Sequence, residues 1–305
     1  MSALYRRLSA ACRVSPGTKV RLRAFDPAAT FDPQLRALRG RTLKQRAQQL
    51  LQANHAELAN MQELLWASGA YSVLVVLQGM DAAGKDGMIK HVMQGINPQG
   101  CDVHRFAQPS AEELDHNFLW RSWQRLPARG HIGIFNRSYY EEVLVVRVHS
   151  SLLAAERLPA RTAGRHLWKD RFADINHFER HLVRNGTLVL KFFLNLSKAE
   201  QKRRLLERLE QRNKRWKFSS ADLEERGYWN EYADAYESML SSTSSSWAPW
   251  YIIPADHKYV ARAVVATILA GQIDALGLTF PVVAAAEERK LAAAKRRLLG
   301  ATRKR

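Results

Sequence analysis

The chain of 305 residues is 46% hydrophobic and carries 47 lysines and arginines against 29 aspartates and glutamates, a formal net charge of +18. The length suits one large α/β domain with attachments or two small domains, and the lack of any uninterrupted apolar run of about 18 residues argues against a helical membrane span. A positive field of this size attracts polyanions without choosing among nucleic acid, an anionic membrane surface and inorganic polyphosphate.

The opening MSALYRRLSAACRV has early arginines but no sustained apolar region, which argues against a secretory signal. Cys12 and Cys101 form no CxxC pair and read as free thiols of a reducing cytoplasm. Residues 1–40, with Pro16, Pro27 and Pro33, are expected to form an irregular basic arm on the domain surface. Over residues 42–69, Leu43, Ala47, Leu50, Leu51, Leu58, Met61 and Leu65 recur at helical spacing, with Gly69 as the stop. The run SVLVVLQG at 72–79 has the nearly continuous apolar character of a parallel strand buried on both faces. A glycine-bearing loop follows, then a helix over 85–95. A weaker strand is predicted at 103–107, a helix at 117–126, and a strand at 131–136 (HIGIFN). Residues 166–185 read as a helix ended by Asn185-Gly186, and 187–194 (TLVLKFFL) as a strand. The charged stretch 197–240 is expected to be mostly helical, and Ser241 to Ser246 (SSTSSS) to be a flexible loop. A short strand at 250–253 and a helix at 258–276 complete the alternation, which calls for a parallel sheet with helices on both faces. The basic tail beyond 280 reads as a solvated helix that frays at its end.

The segment Gly79-Met80-Asp81-Ala82-Ala83-Gly84-Lys85-Asp86-Gly87 fits GxxxxGK between a strand and a helix. Glycines permit close backbone approach, the loop amides and helix N-terminus face phosphate oxygens, and Lys85 places a point charge between phosphates. Ser or Thr normally follows the lysine and holds magnesium; here Asp86 stands there, read as a carboxylate at the first helical turn. A carboxylate at Asp81 would repel bound phosphates unless a metal lay between. Asp81 is therefore expected to ligate Mg²⁺ or to align the attacking phosphate. Asn136 and Arg137 fall at the carboxyl end of a predicted strand, where open sheets bind ligands. Arg137 suits clamping of a phosphoryl group, and Tyr139 and Tyr140 are expected to pack. Glu141 could pair with a basic neighbour or meet a nucleotide; spacing leaves both open. Residues 201–226 are densely cationic, and Arg204 and Arg208 share a helix face, as an insert that closes over phosphates and excludes water requires. Asn213-Lys214-Arg215-Trp216 lacks the aspartate of a guanine-reading NKxD motif.

Taken together, GMDAAGKDG, GINPQGCDVHRF, IGIFNRSYYEEVLVVRVH, FERHLVRNGTLVLKFFLNLS, WKFSSADLEER and APWYIIPADHKY resemble the family-2 polyphosphate kinases over roughly residues 20–280. The resemblance implies a P-loop kinase fold of the thymidylate-kinase type: three-layer α/β/α, a parallel central sheet and a helical lid at about 197–230. It implies an arm and helix over 1–70, a kinase domain over 71–280 and a basic tail over 281–305. The implied activity is reversible phosphoryl transfer from inorganic polyphosphate to AMP or ADP with Mg²⁺, with GMP and GDP as further candidate acceptors and a homo-oligomeric assembly. Asp81, Lys85 and Arg137 match the family's catalytic positions. Gly79, Ala82, Ala83, Gly84, Lys85, Asp86, Gly87, Asn136 and Glu141 would line the phosphate and nucleotide site, and Arg204, Arg208, Lys214 and Lys217 would supply phosphate contacts from the lid. Many relatives have aspartate at Asn136, which leaves the metal to Asp81, and the pattern around Glu141 looks more like the class III subgroup, which takes both AMP and ADP. Two rival readings are an ATP-dependent nucleoside monophosphate kinase and a polyanion- or nucleic-acid-binding protein. The missing hydroxyl after Lys85 speaks against the first, and the lack of an aromatic–basic repeat against nucleic acid.

Overall fold

The computed structural model describes residues 2–31 and 33–301. Within them, one parallel sheet has the order β2-β3-β1-β4-β5, from β1 (Ser72–Gln78), β2 (Cys101–Arg105), β3 (Ile132–Asn136), β4 (Thr187–Asn195) and β5 (Trp250–Pro254). The α-helices of seven residues or more are α1 (Ala3–Cys12), α2 (Gly40–Ser68), α3 (Lys85–Val92), α4 (Leu167–Arg184), α5 (Lys198–Glu210), α6 (Ala221–Gly227), α7 (Trp229–Thr243), α8 (Lys258–Asp274) and α9 (Ala285–Ala301). None is long and apolar enough to cross a membrane among the described residues.

Alternation along β1 sorts the core into two layers. Val73, Val75 and Leu77 join one apolar cluster with Leu43, Leu58, Leu65, Val264 and Ile268 from α2 and α8. Leu74 and Val76 join the other with Phe172, Phe178, Met239 and Leu240 from α4 and α7. Because both faces are covered, every β1 residue is buried, which is why this strand reads as continuously apolar. Register brings Leu77 beside Asn136 of β3 and Phe192 of β4, so the carboxyl ends of the three central strands open together.

Four expectations are corrected. Where an irregular arm is expected, α1 forms, capped by Ser2, whose hydroxyl accepts from the Tyr5 amide at 3.1 Å. Leu8 and Cys12 belong to the same core cluster as β1, and the Val14 amide donates to the Trp250 carbonyl at 2.9 Å, covering the outer edge of β5. The prolines fall after this helix, where sequence gives no sign of its buried face. The serine-rich stretch is also no loose loop. Helix α7 runs through Ser241 and Ser242 to Thr243, and the hydroxyl of Ser244 donates to Val14 O at 2.7 Å and accepts from Trp250 N at 3.0 Å. These small hydroxyls satisfy backbone groups at a buried corner. The strand predicted at 103–107 lies two residues earlier, and only Trp120–Trp123 of the helix expected at 117–126 is helical.

Tyr139 and Tyr140 are buried as expected, but around an ion pair that sequence does not announce. Lys191 and Glu179 are wholly buried with Nζ 2.6 Å from Oε2. Both tyrosine hydroxyls donate to Glu179 Oε1, at 2.8 and 2.7 Å, and Lys191 also donates to Thr243 O at 2.7 Å.

Candidate active site

The loop between β1 and α3 needs glycine at two positions. A Cβ on Gly79 would lie 3.0 Å from the Leu194 carbonyl and 3.2 Å from the Ala83 methyl, and Gly84 has φ +105°. Ala82 holds a left-handed backbone at φ +62° despite its Cβ, a conformation that costs about 1–3 kcal/mol unless its surroundings enforce it. Arg204 supplies that enforcement. Its buried guanidinium donates to the carbonyls of Ala82 (3.0 Å), Ala83 (2.9 Å), Ala255 (2.5 Å) and Asp256 (3.1 Å), while Nε donates to Glu200 (2.8 Å). A guanidinium has five donors, and all are engaged. Arg204, expected among the lid's phosphate contacts, stands here as a brace beneath the loop.

Lys85 is half-buried at the start of α3, its Nζ donating to the Gly79 carbonyl at 2.5 Å. Dehydration by the loop, and after it the Arg137 guanidinium, push the ammonium down to about 8. Arg137 leaves β3 with a left-handed backbone, φ +63°. Its guanidinium donates from Nη2 to Asp81 at 2.8 Å and from Nη1 to Glu141 at 3.2 Å. The structure thus brings Asp81, Arg137 and Glu141 to one wall beside the Lys85 loop, and gives Glu141 a basic partner. Asn136 donates from Nδ2 to Asp86 Oδ1 at 2.7 Å. The two departures from the usual kinase pattern, an amide at the strand end and an acid after the lysine, are therefore each other's partners. Gly87 lies in the first turn of α3, where a Cβ would come within 3.1 Å of the Arg262 guanidinium.

From the lid, Arg208 donates to Asp222 at 2.9 Å. Burial, and then the charge of Asp81, raise the Asp222 carboxyl, which sets this pair within electrostatic reach of the loop. Lys214 pairs with Glu207 inside the lid, and Lys217 lies 4.9 Å over the exposed Trp216 ring. These two lysines are held by lid residues rather than gathered at the loop.

A narrow cleft between the loop and the lid is lined by Gly79, Asp81, Arg137 and Glu141. Its other walls are residues that sequence reading missed: Leu144 and Val145, Trp229, Tyr232 and Tyr236 of α7, and Gln201 and Glu225. Gln201 is buried, donates to the Asp81 carbonyl at 3.0 Å and accepts from Arg226 at 2.7 Å, tying loop to lid. Its position three residues before Arg204 on α5 is a signal, since the two share a face. The aromatic residues of α7 carried none, because they also suit a core-facing helix.

Among the described residues no group of three His, Cys, Asp or Glu side chains could cage a metal. That donor set still fits a hard divalent cation of the magnesium type, which takes one or two carboxylates and completes its shell with substrate phosphates and water. Asp81, about a quarter exposed in the cleft, is placed to be that carboxylate.

Residues 41–279 match the family model described as Polyphosphate kinase 2. The chain is 49% identical over 257 residues to an ADP-polyphosphate phosphotransferase of Rhodopseudomonas palustris, covering 84% of this chain and 89% of that protein. It is 42% identical over 277 residues to an AMP/ADP-polyphosphate phosphotransferase of Meiothermus ruber, covering 91% and 97% respectively. The crystal structure of Polyphosphate Kinase 2 from Arthrobacter aurescens superposes with a TM-score of 0.82 at 38% identity, over 94% of this chain and 96% of that one. With its GxxxxGK loop, its parallel sheet and its helices on both faces, the chain has the P-loop kinase architecture and belongs to the family-2 polyphosphate kinases.

Proposed function

We propose that this enzyme transfers a phosphoryl group from inorganic polyphosphate to ADP and AMP, reversibly, with Mg²⁺ as its metal and GMP and GDP as further candidate acceptors. The observation that supports it is the meeting of Asp81 and Arg137, beside the loop that carries Lys85, in a cleft that Leu144, Val145, Trp229 and Tyr232 also line. Phosphates suit the charged groups of the loop. A nucleotide's planar base fits the slot between Leu144, Val145, Trp229 and Tyr232.

In this reading a terminal phosphate oxygen of the nucleotide attacks the terminal phosphorus of polyphosphate in line. The new P–O bond forms as the bond to the penultimate phosphate breaks, and the electron pair leaves with the shortened chain. Lys85 and Arg137 hold the non-bridging oxygens as charge moves across them. Arg137 reaches them by exchanging its carboxylate partners for phosphate oxygens. Glu141, freed by that exchange, faces the acceptor. Arg204 and Gln201 keep the loop in shape from below, and the lid helices shut out water, which would otherwise compete as acceptor. Mg²⁺ bound at Asp81 would supply charge neutralisation between the two phosphate chains.

Purified protein with Mg²⁺, polyphosphate and each of AMP, ADP, GMP and GDP, its products resolved by chromatography, tests the reading. Transfer from ATP to AMP with none from polyphosphate would overturn it in favour of an ordinary nucleotide kinase. Lys85→Ala is expected to raise the barrier by about 2.7–4 kcal/mol, the range for one lost charge-stabilising donor. Wild-type turnover in that variant would remove Lys85 from the reaction.

A further inference from the structure

Residues 279–300 are exposed at every position, so α9 stands clear of the two core layers. It lies beyond residue 279, where the match to the family model ends, and so outside the shared catalytic body. At 17 residues α9 is only a little longer than the roughly 12–15 below which an isolated helix is marginal in water, and most helical stability in proteins comes from packing. A helix without packing therefore invites a partner.

Its charges say which. Positions 289, 290, 296 and 297 fall at i, i+1, i+7 and i+8, one face of a helix, and are Arg289, Lys290, Arg296 and Arg297. Ala293 sits at the middle of that face, and the acids of the helix, Glu287 and Glu288, occupy its first turn away from the stripe's centre. Lys290 reaches back to Glu287 at 2.9 Å, a pair exposed on both sides and worth little. The side chains of Arg296 and Arg297 make no hydrogen bond or ion pair among the described residues. A row of cations with no acid interleaved, three of them in no ion pair among the described residues, repels a second copy of so basic a chain and suits a linear polyanion.

We propose that the basic face of α9 is an accessory site for inorganic polyphosphate, holding the far part of a long chain whose end is in the active site. The inference rests on polyphosphate being the substrate of that site. A chain too short to leave the cleft gains nothing from such a site, so the helix acts on affinity for long chains and leaves the chemical step alone. The gain is one of effective concentration, since a chain tethered at α9 re-enters the cleft without a new bimolecular encounter.

The test uses the full chain carrying Arg289→Ala, Arg296→Ala and Arg297→Ala together. Alanine keeps helix propensity, and circular dichroism checks that helix content is unchanged. With ADP as acceptor, KM for long-chain polyphosphate is expected to rise several-fold, while kcat and KM for a short chain stay at wild-type values. In a titration of end-labelled long-chain polyphosphate, the slope of log Kd against log salt is expected to fall by about 2, the effect of losing three phosphate contacts. Three results would overturn the proposal: an unchanged titration, an equal rise in KM for both chain lengths, or a change in molar mass by light scattering, which would make α9 a contact between copies. Loss of binding to phosphatidylserine vesicles with the polyphosphate titration intact would likewise overturn it, in favour of a membrane surface. If the wild type transferred from neither chain length yet bound the labelled chain through these arginines, the reading of the active site would fall and this one would stand.

Discussion

Lys85 works in a protonation state that its own loop disfavours. Dehydration and the facing Arg137 bring its ammonium down to about 8. The charged form binds phosphate, so below that pH the free enzyme is ready and above it the charge is lost. Bound phosphates favour the ammonium and push its pKa back up. It follows that kcat/KM for polyphosphate, which reports the free enzyme, is expected to decline above about pH 8, while kcat holds to higher pH. Lys85→Arg keeps a cation at every pH in this range and should remove that alkaline limb, whatever it does to the rate. A limb that persists in Lys85→Arg would assign the titration to another group. The residues of this site were legible from sequence where chemistry demands a type at a spacing: Gly79, Gly84, Lys85 and Arg137. Asn136 and Asp86 read as separate departures because their 2.7 Å hydrogen bond joins positions 50 residues apart.

At the scale of elements, the cations of the lid divide by what they hold, and sequence could not divide them. Arg204 and Arg208 sit one turn apart with the same residue type, yet Arg204 is buried against four loop and strand-end carbonyls and Arg208 pairs with Asp222 in the partly exposed lid. The two should respond oppositely to truncation. Arg204→Ala leaves buried carbonyls without donors and is expected to cost about 2 kcal/mol or more of stability, read by urea denaturation. Arg208→Ala should change stability by about 0.5 kcal/mol or less while raising KM for polyphosphate. A stable, fully active Arg204→Ala would show that the loop keeps its shape unaided. The strands and long helices were readable because burial on both faces, or on one, writes a period into the chain. Helix α1 and the serine corner were not, because both depend on partners far away: Tyr5 meets α8, and Ser244 meets Val14 and Trp250. Strand β4 hides a further case, since Lys191 interrupts an apolar run and looks like a solvent-facing position. Its wholly buried bond to Glu179 makes Lys191→Met an expected loss of about 3–5 kcal/mol, the cost of leaving the carboxylate uncompensated. Lys191→Met with Glu179→Gln should recover part of that loss.

For the whole molecule, the excess of cations sets how substrate is found as well as how it is held. A polyanion approaching a chain of net charge +18 is steered from a distance, and that steering is screened once the Debye length shrinks to about 8 Å at physiological salt. Contacts inside the closed cleft are screened far less. Salt should therefore act unevenly on the reaction. Raising it from about 50 to 200 mM is expected to lift KM for polyphosphate steeply, along a straight line in log KM against log salt, as counterions compete for the sites the chain neutralises. KM for ADP should move less, since a mononucleotide displaces fewer ions, and kcat should barely move. Steady-state kinetics over a salt series, with one substrate saturating at a time, measures all three. A kcat that fell as steeply as affinity would mean that the groups holding the reacting phosphates lie open to solvent. That would contradict a cleft walled by the lid residues Gln201 and Glu225 beside the Lys85 loop, and would require the lid to stay open through transfer.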